Sequence, residues 1–125
     1  MNFATLIGEP WQLGSNDCWA FFRRVQREHF GRDVPMVDVD ATSAMVCAQA
    51  VRDHPERLRW SAVAEPRAGD AVLMGKGRHP THVGLWIDQD GGGVLHCQQG
   101  TGVVFSRPAQ LALMGWVNTS YWRAK

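Results

Sequence analysis

The first clear periodicity along the chain is helical. Cys18, Phe21, Phe22 and Val25 recur at i, i+3, i+4 and i+7, the apolar stripe of a helix packed on a core. Ser15, Asn16 and Asp17 precede the stripe and are residue types that cap helix N-termini. Gly31 is well placed as the residue that ends the helix, so the spacing predicts a helix from Cys18 to about Phe30. Arg23, Arg24, Arg27 and Glu28 fall mostly outside the stripe and form a solvated face. Phe3 to Ile7 reads as a short helical turn, broken by Gly8-Glu-Pro-Trp11. A second helix is expected from Ala41 to about His54, capped by Thr42 or Ser43 and followed by Pro55. Its interior, Ala44 to Val51, is apolar over much of its circumference, which makes Cys47 a core residue.

From Leu58 the pattern shortens to strands and turns. Strands are expected at Arg59 to Val63, Asp70 to Met74, Thr81 to Asp88, Val94 to Gln99, Val103 to Ser106 and Gly115 to Trp122. Pro108 to Leu113 reads as a helical turn with proline at its start. The segment Thr81 to Asp88 alternates cleanly, with His82, Gly84, Trp86 and Asp88 on one face and Val83, Leu85 and Ile87 on the other. Asp88-Gln-Asp-Gly-Gly-Gly93 turns it into its return strand. Helices followed by an antiparallel meander define an α+β chain, with the first helix across one face of a sheet of about five or six strands. Residues 1–125 are read as one domain.

Composition removes several function classes. The net charge is +1, from 13 Lys+Arg against 12 Asp+Glu, and no basic run gives a nucleic-acid footprint. No apolar run approaches the ~18 residues of a membrane span. The start lacks a basic stretch followed by a long apolar one, so cytoplasmic synthesis without a signal peptide is expected. Cys18, Cys47 and Cys97 are an odd count without Cys-x-x-Cys spacing, which argues against a disulfide framework or a four-thiolate zinc site.

The candidate chemistry joins the helix to the hairpin. A cysteine at a helix start meets unpaired N–H groups and the positive end of the helix dipole, which favour its thiolate. A cysteine nucleophile needs a base and a group that orients the base. His82 and His96 lie an even 14 residues apart on the predicted hairpin and so share a sheet face. They are direct partners if the hairpin centres near Gln89, and diagonal neighbours if the register shifts by two. With the helix N-terminus over this face, Cys18 is the nucleophile, His82 its base and His96 the orienting group. Cys97 falls on the opposite face with Val83, Leu85, Ile87 and Leu95, and is read as structural. Trp86 lies on the histidine face, where it either lines a groove or packs in the core.

These residues carry a resemblance. Gly8-x-Pro-Trp11, Asp17-Cys18, Gly69-Asp70, His82-Val-Gly-Leu85 and Val94-Leu-His96 resemble the NlpC/P60 family of cysteine peptidases, most of all its phage and prophage tail-associated members. The resemblance runs from about Gly8 to about Gln99. It implies a papain-like core, a Cys-His-His triad without a cofactor, and hydrolysis of peptidoglycan stem peptides. It also implies assembly with phage tail proteins as the route to the wall. Two positions depart from the family. Trp11 stands where the family usually carries an oxyanion-binding Tyr, and Trp19-Ala20 follow the cysteine in place of Ser-Gly. An indole N–H donates one hydrogen bond but is no hydroxyl, so Trp11 becomes a substrate-contact candidate.

Three rival readings stand beside this one. One is another thiol chemistry on a similar fold, a CHAP-like amidase or an acyltransferase. A second is an inactive tail component that only binds partners. The third is a metal site at Cys18, His82 and His96, which are acceptable ligand types without short-range ligand spacing.

Overall fold

In the computed structural model, residues 3–35 and 59–125 are described. The expected second helix, with Cys47, lies outside the described residues. Helix α1 spans Cys18–Phe30, and strands follow at β1 (Trp60–Val63), β2 (Ala71–Gly75), β3 (His82–Ile87), β4 (Gly93–Gln98) and β5 (Gly102–Ser106). A short helix α2 (Pro108–Leu113) leads to the last strand, β6 (Asn118–Ala124).

Helix α1 begins and ends where its local chemistry dictates. Asp17 is its N-cap, with Oδ1 accepting from the N–H of Ala20 at 2.9 Å and Oδ2 from that of Gly14 at 2.9 Å. At the other end Gly31 takes the left-handed conformation, φ 66°, and its N–H bonds to the carbonyl of Gln26. A side chain there would be strained, which is why glycine stops the helix. Buried Gln26 ties α1 to the sheet by donating to the Gly69 carbonyl at 2.8 Å. Gly69 has φ 91°, and a Cβ on it would stand 2.8 Å from both Phe30 and Arg32. The next residue, Asp70, is 1% exposed and receives two hydrogen bonds from the Arg123 guanidinium, at 3.1 and 2.8 Å. The Gly-Asp pair is thus a packing and ion-pair device at the start of β2.

The strands form one antiparallel sheet in the order β1-β6-β2-β3-β4-β5. Strands β2 to β5 are the expected meander. The last strand departs from it, entering between β1 and β2 and starting at Asn118 rather than Gly115. At the far edge the Gly8–Glu9 segment pairs with Val103 through two backbone hydrogen bonds of 2.9 Å. That pairing brings the chain past Trp11 to the start of α1.

The sheet has two differently covered faces. Phe21, Phe22 and Val25 of α1 pack on Val83, Leu85, Ile87, Leu95, Cys97 and Val103. The other face holds Val72, Met74, Trp86 and Val94, covered by Leu111 and Trp116. The helix therefore does not lie over the histidine face as expected. An amphipathic stripe seeks apolar area, and the Val83 face offers an unbroken patch where the other carries two imidazoles.

Asp17 holds two backbone donors in a buried setting, 8% exposed, so Asp17→Ala should cost about 1–2 kcal/mol of unfolding free energy. Asp17→Asn should recover most of it, with urea denaturation as the measurement. An unchanged midpoint in Asp17→Ala would remove the cap from the account of α1.

Candidate active site

The histidine pair is built by register and by one glycine. Leu85 pairs with Leu95, so the hairpin centres on Asp90 and places Gly84 directly opposite His96. His82 and His96 are thus diagonal neighbours, the alternative raised by a shift of two. A Cβ at Gly84 would lie 2.8 Å from His96 Cβ and 2.9 Å from the Leu95 carbonyl oxygen. The missing side chain leaves the space across which the rings meet, His82 Nε2 to His96 Nδ1 at 2.9 Å. The ring planes cross at 75° with centroids 5.0 Å apart.

The pair is enclosed. His96 is fully buried and His82 is 7% exposed. His96 Nε2 lies 3.1 Å from Ser106 Oγ. Trp116 covers His82 in a near-parallel stack, 4.8 Å between centroids and 14° between planes. Lys76 sits over the other ring system of this stack, its Nζ 5.0 Å from the Trp116 centroid. Burial holds the His82 imidazole well below its ordinary pKa of 6.5, with the neighbouring His96 and Lys76 charges acting the same way. Burial alone brings His96 down to about 4. Both rings are therefore neutral near neutral pH, the state in which an imidazole accepts a proton.

Cys18 and Cys97 sit at one end of the sheet. Cys18 is half-buried at the start of α1 and packs against the cluster beneath the helix, as do Trp11 and Trp19. The Cys97 thiol donates to the Asn16 carbonyl oxygen at 3.1 Å, fixing the approach to α1 on β4. Burial, with Asp17 and Glu9 nearby, raises the Cys97 thiol to about 11, so it is a structural donor and not a nucleophile. Because Asn16 is bonded to Cys97 near the end of β4 and His82 opens β3, the helix start and His82 stand at the same end of the sheet, with α1 on one face and the His82 ring on the other.

Trp86 is 8% exposed, in edge-on contact with Tyr121 at 5.8 Å, and its indole N–H donates to Asp88 at 3.2 Å. Of the two readings of Trp86, these surroundings are those of a core residue. His29 stacks at a tilt on Phe3 at 5.0 Å, near the end of α1. Ser106 and Trp116 were not singled out by the sequence. The even spacing of His96 and Ser106 was the available signal, since β4 and β5 pair His96 with Val104 and so place Ser106 on the histidine face. Trp116 lies inside the strand expected from Gly115 but in the connection that precedes the observed β6, where it covers His82. Among the described residues no group of three His, Cys, Asp or Glu side chains is arranged to hold a metal ion, and no helix is long and apolar enough to cross a membrane.

The described residues thus form an α+β domain in which an antiparallel sheet carries a buried, neutral histidine pair on one face and a helix with a half-buried cysteine at its start on the other. The chain belongs to the NlpC/P60 family, whose model matches residues 8–125. That family is one of cysteine peptidases and amidases directed at peptidoglycan. No curated protein matches the chain.

The buried imidazoles make folding pH-dependent. Well above pH 6.5 His96 is neutral in both the folded and unfolded states and contributes no pH dependence. As pH falls below that, the unfolded chain takes up a proton that the native ring refuses until about 4, and stability is lost. Between about pH 7 and about pH 4.5 the loss from His96 should be about 2–3 kcal/mol. His96→Gln should show a correspondingly shallower decline in urea titrations at the two pH values. Identical declines in both proteins would contradict a buried neutral His96.

Proposed function

We propose that the protein is a cysteine peptidase that cleaves amide bonds in peptidoglycan stem peptides through Cys18, His82 and His96, on a papain-like core. The observation that carries this reading is the 2.9 Å contact between His82 Nε2 and His96 Nδ1. It engages one nitrogen of His82 and leaves Nδ1 for chemistry at the end of the sheet. There Nδ1 takes the proton of the Cys18 thiol as the sulfur attacks the scissile carbonyl carbon. The proton then passes to the leaving amine, giving a thioester on Cys18. Water, deprotonated by the same nitrogen, hydrolyses the thioester. His96 holds the His82 ring and stabilises the imidazolium that forms transiently. The backbone N–H of Cys18 and the indole N–H of Trp11 are the oxyanion donors in this reading. Trp11 packs against the same cluster as Cys18, which supports its place at the groove rim.

The resemblance to tail-associated members of the family supports a role as a phage or prophage tail component that reaches the wall by assembly. Glycine opposite the orienting histidine and a neutral base favour a working enzyme over an inactive binding component, because a structural sheet has no need to bury two imidazoles.

Defined muropeptides incubated with the purified protein should give fragments cut at a stem-peptide amide, read by mass analysis. Cys18→Ala should abolish the cut and His82→Ala should lower it by at least about 100-fold. Trp11→Tyr should preserve turnover, whereas Trp11→Ala should reduce it. Intact muropeptides with the wild-type protein, or equal cutting by Cys18→Ala, would contradict the proposal.

A further inference from the structure

The histidine pair continues into two further side chains. Ser106 is 3% exposed, and its Oγ lies 3.1 Å from His96 Nε2 and 3.5 Å from Met114 Sδ. A hydroxyl carries one proton, and a thioether sulfur only accepts. The Ser106–Met114 contact is therefore a hydrogen bond only when Ser106 donates it. Ser106 Oγ must then accept from His96, which puts the His96 proton on Nε2. With Nε2 protonated and the ring neutral, His96 Nδ1 is bare and accepts from His82 Nε2–H. His82 Nδ1 is bare in turn.

The opposite order is worse for the same groups. If Ser106 donates to His96 Nε2, the His96 proton moves to Nδ1 and donates to His82 Nε2. His82 then carries its proton on Nδ1, where the base must be empty, and Met114 receives nothing. The first order makes three hydrogen bonds within the group and the second makes two. Buried polar groups settle on the arrangement that satisfies more of them.

We propose that Ser106, with Met114 as acceptor of its hydroxyl proton, is a positioning residue that sets the tautomer of His82 through His96. This rests on His82 being the base of the proposed function. The chain runs His82 to His96 to Ser106 to Met114, each link donating in that direction. Protons are neither gained nor lost along it. Its effect is to keep the proton of neutral His82 on the nitrogen turned away from the thiol.

The test reads tautomers directly, by long-range proton–nitrogen correlation on protein labelled at histidine nitrogens, with no substrate present. In the wild-type protein near neutral pH, His82 and His96 should both be protonated at Nε2 and bare at Nδ1. Met114→Leu keeps volume but removes the acceptor, so the Ser106 proton should turn to His96 and both rings should shift toward the Nδ1–H form. Ser106→Ala should do the same by removing the acceptor of His96 Nε2–H. Each variant should lower kcat on muropeptides about tenfold with little change in KM, because the base is mis-set while the groove is intact. Ser106→Thr, which restores a hydroxyl, should return the wild-type tautomers. A wild-type protein with His96 protonated at Nδ1, or tautomers unchanged in Met114→Leu and Ser106→Ala, would overturn the proposal. Tautomers that shift as stated in a protein that cuts no muropeptide would support the relay and count against the proposed function alone.

Discussion

The site depends on the absence of one side chain. With Leu85 opposite Leu95, Gly84 faces His96 across the β3–β4 ladder, and a methyl group there would press on His96 and on the Leu95 carbonyl. Glycine in a strand interior usually weakens it. Here it lets a diagonal pair of imidazoles meet at hydrogen-bond distance, buried between Trp116 and Ser106. Burial then does the electrostatic work. It keeps both rings neutral, and a neutral ring is one that can take a proton from a thiol.

The remaining architecture brings the helix start to that sheet end. The Gly8–Glu9 segment is pinned to the edge strand by Val103, and Asn16 is pinned to Cys97. Asp17 closes the first turn of α1 at Cys18. Gln26 and Gly69 anchor the other end of the helix over the start of β2. None of these contacts involves chemistry, yet together they fix where the α1 N-terminus stands. In the proposed reaction Cys18 attacks from a rigid helix and His82 acts from a rigid strand, an arrangement that needs little reorganisation.

Much of this was legible because it is local. A cap, an apolar stripe and a terminal glycine bound α1 to Cys18–Phe30, since each acts within one turn of helix. Even spacing put His82 and His96 on one face, and Cys97 on the other, whichever of the two registers formed. What escaped is non-local. The entry of β6 between β1 and β2 depends on pairing between residues some fifty positions apart, such as Ala71 with Trp122, which no local pattern encodes. The side of the sheet chosen by α1 also escaped. A helical stripe states that apolar area is needed, and only the assembled sheet shows which face supplies it. Trp116 belongs to this group as well: it falls in the segment expected as a strand from Gly115, and only the assembled connection shows that it covers His82.

In the proposed reaction Cys18 and the buried His82 act as one unit. The most direct measurement of that coupling is the rate of iodoacetamide alkylation at each cysteine of the native protein, followed by peptide mapping across pH. Cys18 should react first, from mildly acidic pH upward, where an ordinary thiol near pKa ~8.5 is almost wholly protonated. Cys97, raised to about 11 and bonded to Asn16, should stay unlabelled while the protein is folded. His82→Ala should slow the Cys18 reaction markedly, and His96→Ala should slow it less. Faster labelling of Cys97 than of Cys18, or a Cys18 rate indifferent to His82→Ala, would contradict the account.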